Sequence, residues 1–170
     1  STVGSYLYLV NSGFGGADWR VKSNGAADLG GAGAFSISSF SDGTTPFFIA
    51  PVTNNTGLGT VTPQSRLHVN GSISVKRASV SGNYTITVDD FYIAADTSTA
   101  GVHLLPSAAV AGAGKLYIIK DSTGNALIKN ITVTPVGLDT IDGGSSSVIN
   151  TNFGFLKLVS DGIGNWEVVG

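Results

Sequence analysis

The segment Tyr84-Thr85-Ile86-Thr87-Val88 decides the fold class, because its apolar side chains alternate with threonine. Successive side chains of a β-strand point to opposite faces, so this alternation places apolar groups on one face and hydroxyl groups on the other. The segment Ile131-Thr132-Val133-Thr134 repeats the pattern. Residues 116–119 form a continuous apolar run, which is typical of a strand buried on both faces. These segments predict β-sheet structure in the second half of the chain.

Helical periodicity is almost missing from the sequence. The one candidate is 107–113, and Gly112 and Gly114 limit it to a short helical turn. Turn-forming residues separate the candidate strands at 81–83, 121–125, 142–144 and 161–165. Residues 80–170 therefore hold about seven to nine predicted strands, which favours a sandwich or barrel. We predict an all-β chain in which residues 76–170 form a β-sandwich head with a jelly-roll-like arrangement.

The first 75 residues have a different pattern. Short strand-like pieces at 6–10, 19–22, 35–37 and 47–49 are separated by glycine-rich spacers such as 25–33. So few apolar positions make a poor core for one copy, whereas three copies wound together can bury their strands against one another. We predict an intertwined, trimeric β stalk over residues 1–75, with the boundary between Gly71 and Val80.

The composition excludes several classes of function. Charged residues are 12% of the chain, about half the usual ~25%, and the formal net charge is −2. No basic run marks a nucleic-acid surface, and no apolar stretch approaches the ~20 residues of a membrane-spanning helix. The absence of cysteine excludes disulfides and thiolate metal sites. The start at Ser1 and the absence of methionine suggest a piece of a longer polypeptide.

Parts of the sequence resemble phage tail fibres and related adhesins. Residues 56–63 (TGLGTVTP) followed by 67–71 (LHVNG) are similar to a junction that ends a β-structured shaft in such fibres, and 9–13, 18–21 and 30–37 look like the shaft pattern. Residues 139–143, 158–162 and 165–166 look like C-terminal head modules of phage fibres and virion surface proteins. In many such fibres a helix-rich, self-cleaving chaperone domain follows the junction, whereas here the β pattern continues.

The resemblance implies a non-enzymatic fibre or spike protein on the outer face of a virion. Its partners would be two further copies of the chain in a homotrimer, other virion tail proteins, and a host surface glycan or another outer-surface receptor. Two alternatives stay open. One is a purely structural virion component, such as a capsid decoration or a fibre connector, and the other is a polysaccharide depolymerase.

Two loops of the predicted head are candidate ligand sites. Sugar-binding sites combine a flat aromatic face with polar acceptors, and the loops offer Asp121 with Asn125, and Asp161 with Asn165 and Trp166. The pair Phe91-Tyr92 could supply an aromatic face as well. The alternative interpretation is that the aspartates form turns and that Trp166 belongs to the core of the last strand.

The remaining motifs predict no catalytic residue, no metal and no cofactor. His68 and His103 each lie between apolar residues and are expected to be packed strand residues. Asp139 and Asp142 lack the spacing of an EF-hand calcium loop. The stretch 13–16 (GFGG) lacks the lysine and the following helix of a phosphate-binding loop.

Overall fold

A computed structural model describes residues 4–11, 13, 16–28 and 30–170 of the chain. Parts of the quoted stretches 9–13, 13–16 and 25–33 lie outside the described residues, namely Ser12, Phe14, Gly15 and Leu29. The described residues are nearly all β, in three sheets, and their helix content is one turn, Ala108–Ala111 (α1). The all-β prediction is therefore confirmed. The chain divides into two compact units, Ser1–Ser74 and Val75–Gly170.

The first unit contains one sheet whose strands follow one another in sequence order. Neighbouring strands are antiparallel except for the last pair, which is parallel. The sheet is thus formed within a single chain, and its intertwining with neighbouring chains stays a prediction. Its described strands are Ser5–Leu9 (β1), Trp19–Ser23 (β2), Phe35–Ser39 (β3), Phe47–Ile49 (β4), Thr56–Leu58 (β5) and Leu67–Val69 (β6).

One face of this sheet is apolar across all six strands. The register places Val21 opposite Leu7 and Ile37, and Ile37 opposite Phe47, so these side chains share a face. None of the apolar side chains on this face is buried; Leu7, for example, is 61% exposed and Leu67 is 58% exposed. We call this surface the apolar face. Its apolar members are Leu7, Leu9, Trp19, Val21, Phe35, Ile37, Phe47, Ile49, Leu58, Leu67 and Val69.

The opposite face of the sheet is polar and is partly covered by the chain itself. Phe48 is buried on this face, and Gly30 of the 24–33 loop lies so close that a Cβ there would overlap the Phe48 ring. Ser36 donates a buried hydrogen bond of 2.8 Å to the Asn24 side chain at the start of the same loop. The first unit therefore partly covers its polar face with its own loop, whereas its apolar face has no second layer among the described residues of this unit.

The second unit is a sandwich of two sheets. A four-stranded sheet has the order β14-β12-β10-β8, and a six-stranded sheet has the order β13-β16-β15-β11-β9-β7. The strands are Arg77–Ser81 (β7), Tyr84–Thr85 (β8), Tyr92–Asp96 (β9), Gly101–Leu104 (β10), Leu116–Asp121 (β11), Ile131–Thr134 (β12), Thr140–Ile141 (β13), Ser147–Ile149 (β14), Phe155–Ser160 (β15) and Asn165–Val168 (β16).

The chain of the second unit winds between its two sheets. Consecutive strands from β7 to β15 alternate between the sheets, so β7, β9 and β11 pair in parallel in one sheet, and β8, β10 and β12 pair in parallel in the other. Successive turns of the winding approach closely, because a Cβ on Gly101 would overlap the carbonyl oxygen of Gly82. The jelly-roll arrangement is not confirmed, since a jelly roll pairs its strands in antiparallel Greek keys.

The core of the second unit lies between the two sheets. Its largest fully buried side chains are Trp166 and Tyr117, whose ring centroids are 5.2 Å apart. Ile86 of the alternating segment is buried, whereas Val88 is 44% exposed because β8 ends at Thr85. The alternation of 131–134 is realised in full, with Ile131 and Val133 in the core.

Candidate functional site

The carboxylate of Asp121, a predicted ligand-binding group, is buried at the end of β11. Its Oδ1 accepts hydrogen bonds from the Thr97 hydroxyl (2.8 Å) and from the N–H groups of Thr123 and Gly124, and its Oδ2 accepts from the N–H groups of Ala126 and Phe153, both at 3.0 Å. Burial alone would raise the pKa of this carboxyl, but the hydrogen bonds outweigh burial and hold the pKa below its usual range. Asp121 therefore holds the 121–126 loop together and is not free to bind a ligand.

Asn125 is partly exposed in the same loop. Its side-chain amide donates a hydrogen bond of 3.1 Å to the Thr97 carbonyl, and its own N–H donates to the Thr97 hydroxyl. Its side-chain oxygen has no partner among the described residues, so Asn125 keeps one acceptor for a ligand.

The second predicted loop is shaped in a similar way by Asp161. Its Oδ1 accepts hydrogen bonds from the N–H groups of Ile163 (2.7 Å), Gly164 and Asn165 (both 3.0 Å). The bonds from Asn165 and Ile163 lower the pKa of the Asp161 carboxyl. The Asn165 side-chain oxygen accepts a 2.8 Å hydrogen bond from the Thr140 hydroxyl. The turn interpretation is therefore correct for Asp161, and Asn165 is engaged with β13.

Trp166 requires a correction. Its side chain is 0% exposed and packs on Tyr117 inside the sandwich, so it presents no aromatic face to a ligand. Successive side chains of β16 point to opposite faces of the sheet. Asn165 and Glu167 point outward, and Trp166 between them points into the core. The alternative interpretation, that Trp166 is a core residue, is the one that the structure supports.

The two predicted loops lie at opposite ends of the six-stranded sheet. Asp121 ends β11, whereas Asp161 follows the end of the antiparallel neighbour β15. The register of β11 and β15 places Asp161 level with Gly114, which is seven residue steps, or about 23 Å, along the strands from Asp121. One small ligand cannot bridge the two loops, and the two aspartates are too far apart to act as the ~5–9.5 Å carboxylate pair of a glycoside hydrolase.

The acidic pair Asp89-Asp90 does not form such a site either. Asp90 is buried, accepts hydrogen bonds from the N–H and hydroxyl of Thr87 and from the Tyr84 hydroxyl, and forms an ion pair of 3.1 Å with Lys76. Burial would raise its pKa, but the bonds from Thr87 and Lys76 lower it below the usual range. Asp90 thus stabilises the first part of the second unit by joining Lys76, Tyr84 and Thr87.

The outward side of the six-stranded sheet carries a group of cationic and aromatic side chains that sequence reasoning did not bring together. The register places Arg77, Tyr92, Ile118 and Lys157 in one row, and Ser79, Ala94, Lys120 and Phe155 in the next. Tyr92, one of the aromatic candidates, lies here with the Arg77 guanidinium 5.9 Å from its ring centroid. We call Arg77, Tyr92, Lys120, Phe155 and Lys157 the cation–aromatic face. Only the pairing register reveals it, because its members come from four separate strands.

A shallow groove adjoins the cation–aromatic face. It has a volume of about 220 Å³ and is lined by Ser79, Val80, Ser81, Ala94, Asp96 and Ser122. Ser122 belongs to the predicted 121–125 loop, so this loop borders the groove although its aspartate is buried. The groove and the neighbouring face form the strongest candidate for a ligand site in the second unit.

The first unit has two clefts that are weaker candidates for a ligand site. The larger, of about 510 Å³, is lined by Thr44, Thr45, Pro46 and 59–62 and contains no charged side chain. The other, of about 320 Å³, contains Arg20, whose guanidinium lies 3.8 Å from the Phe40 ring centroid, and the ion pair Lys22–Asp28 at 2.7 Å. These aromatic and ionic contacts are made within the chain.

His103 is the buried histidine of the second unit. It lies in β10, is 1% exposed, and its ring meets that of Tyr84 edge-on at 6.1 Å. Its Nδ1 has no hydrogen-bond partner among the described residues. Burial lowers the pKa of His103, and a hydrogen bond with the Gly82 backbone opposes this in part. The prediction that His103 is a packed strand residue is confirmed.

We expect His103→Phe to reduce the loss of stability between about pH 7.5 and about pH 5. The folded chain holds His103 neutral, so the unfolded chain binds more protons as the pH falls below about 6.5, and stability drops by up to about 1.4 kcal/mol per pH unit. Thermal melts across this range measure the effect, and His68→Phe serves as the control. Equal pH slopes for wild type and His103→Phe would show that this histidine does not carry the effect.

The described residues contain no group of three or more His, Asp or Glu side chains placed to hold a metal ion. None of the helices in the described part of the chain is long and apolar enough to cross a membrane. No protein-family model matches the chain, and a comparison with curated proteins finds no relative.

Proposed function

We propose that this chain is a homotrimeric attachment protein of a phage tail fibre or spike, on the outer face of the virion, that binds a host surface glycan without cleaving it. The single observation that carries the homotrimer in this proposal is the apolar face of the first unit. The resemblance of residues 56–71 to a fibre junction supports the assignment to a phage.

The apolar face favours assembly with further copies of the chain. A sheet with one apolar face is stable when a second layer covers that face. Each large apolar side chain is worth about 1.5–3 kcal/mol when it is fully removed from water, so eleven of them at partial exposure represent a large unrealised stabilisation. Three sheets with their apolar faces turned inward would supply the missing layer for one another.

A trimer also suits attachment. Each fibre would present three identical sites, and several fibres on one particle would multiply them, so that weak individual sites give firm binding through avidity. The second unit has its own core and leaves its outward sheet side open, and exposed surfaces on a rigid scaffold commonly carry binding residues.

A purely structural virion component is the second candidate, and the apolar face favours it equally, because self-assembly alone would cover that face. A depolymerase has less support, since the aspartates considered above serve turns or a buried network. Adhesion separates the two main candidates: an attachment protein binds cells by itself, whereas a connector does not.

The test measures the mass of the full chain and its adherence to cells. We expect light scattering at micromolar concentration to give three times the 17.2 kDa chain mass, and fluorescently labelled protein to adhere to some strains in a panel of bacteria. A stable 17.2 kDa monomer would overturn the trimer. A trimer that adheres to none of the strains would leave only the structural component.

Asn125→Ala tests whether the 121–125 loop contributes to that adherence. We expect weaker adherence and a slightly lower melting temperature. The variant loses the hydrogen bond from the Asn125 side-chain amide to the Thr97 carbonyl, which lowers the free energy of unfolding by about 1 kcal/mol. Asn150→Ala in an exposed position after β14 is the control. Unchanged adherence of Asn125→Ala would remove this loop from the site.

A further inference from the structure

The cation–aromatic face brings two ammonium groups to one exposed ring. Phe155 is 49% exposed, and its ring centroid lies 6.0 Å from the Lys120 Nζ and 5.5 Å from the Lys157 Nζ. Lys120 also donates a hydrogen bond to the Phe153 carbonyl. An exposed aromatic ring therefore has two positive charges within about 6 Å of its centre.

The positive charges of this face form no ion pair within the described part of the chain. The described residues hold two ion pairs, Lys22–Asp28 and Lys76–Asp90, and neither includes Arg77, Lys120 or Lys157. This is notable in a chain whose formal net charge is −2. Charge complementarity thus selects an anionic partner for this face.

The groove beside the cation–aromatic face supplies polar groups that can form hydrogen bonds with the hydroxyls of a sugar. Ser79 and Ser81 lie along β7, and the Asp96 carboxylate lies at the end of β9. Ala94 forms part of the groove lining, and its small side chain keeps the groove open between the longer residues. Serine hydroxyls and a carboxylate are the donors and acceptors that sugar hydroxyls require.

We propose that the cation–aromatic face and its groove bind a carboxylated glycan, with a pyranose ring on Phe155, its carboxylate at Lys120 and Lys157, and hydroxyls of the next sugar at Ser79 and Ser81 of the groove. This inference rests on the proposed attachment function and specifies its ligand class and its site. It differs from a site at the loop tips, because the binding surface is the open side of a sheet.

The probe is a short oligogalacturonate, compared with its methyl ester, which keeps the sugar backbone and removes the charge. We expect calorimetry on the full chain to detect binding of the acid, weakening as salt is raised, and binding of the ester that is at least about tenfold weaker. The double variant Lys120→Gln/Lys157→Gln should lose at least about tenfold in affinity for the acid, because two charge-assisted hydrogen bonds are removed.

Two controls keep the result specific. Lys120→Arg/Lys157→Arg keeps both charges and should bind the acid within a few fold of wild type, and Lys129→Gln, an exposed lysine outside the face, should bind it as wild type does. The inference is overturned if the ester binds as well as the acid, if neither binds, or if Lys120→Gln/Lys157→Gln binds normally. If Lys120→Gln/Lys157→Gln adheres to bacteria as wild type does, the proposed glycan site is refuted but the attachment function is not. If wild type adheres to none of the bacterial strains, the attachment function itself is refuted.

Discussion

Val21→Asp in the middle of the apolar face is expected to convert the proposed trimer into monomers. Val21 lies between Leu7 and Ile37 in the register and points into the apolar face. In an isolated chain the new carboxylate would be solvated, because Val21 is only half-buried there. In a trimer three carboxylates would be removed from water close together, and burying each unpaired charge costs several kcal/mol.

The size of this effect follows from the charge burial. A loss of about 4 kcal/mol in the free energy of association raises the dissociation constant about a thousandfold. The Val21→Asp variant should therefore dissociate at concentrations where the proposed wild-type trimer is fully assembled. Light scattering of both proteins over a range of concentrations measures it.

Val52→Asp is the matched control for this experiment. It introduces the same change of side chain at an 89% exposed position in the turn after β4, outside the apolar face. Val52→Asp should keep the wild-type mass. If Val21→Asp also keeps that mass, the apolar face is not the surface through which copies assemble.

Asp121→Asn is expected to destabilise the second unit strongly. Both carboxylate oxygens of Asp121 accept hydrogen bonds, three at Oδ1 and two at Oδ2. An asparagine must place its NH₂ group against one of these two sets of donors, which leaves buried N–H groups unpaired. We expect a loss of about 3 kcal/mol or more in the free energy of unfolding, measured by denaturant titration at neutral pH.

Asp161→Asn provides the comparison, because all three N–H groups in that turn bond to Oδ1 alone. An asparagine there can keep its carbonyl oxygen toward the same donors, so stability should change much less. The hydrogen bonds to Asp121 hold its pKa low, so their contribution is present above about pH 4 and is lost as the pH falls through the folded pKa. The difference in the free energy of unfolding between wild type and Asp121→Asn should therefore become smaller in acid. Equal losses in the two variants at neutral pH would contradict this account.

The candidate site was only partly predictable. The sequence predicts turns at 121–125 and 161–165, and the chain turns after a strand in both stretches, because an aspartate followed closely by glycine carries its own turn chemistry. The inward position of Trp166 depended on the register and burial of β16, which a lone aromatic beside a turn does not reveal. The cation–aromatic face was missed because its residues are up to 80 positions apart in the chain.

The sequence by itself determined the all-β class, the short helical turn near 107–113 and the turn aspartates. These features depend on local properties, namely side-chain alternation, glycine positions and hydrogen bonds between near neighbours. Only the tertiary structure decided the parallel winding of the second unit, the burial of Asp121 and Trp166, and the apolar and cation–aromatic faces. Each of these depends on which distant strands pair and in which register, and a shift of one residue would turn every side chain of a strand to the other face.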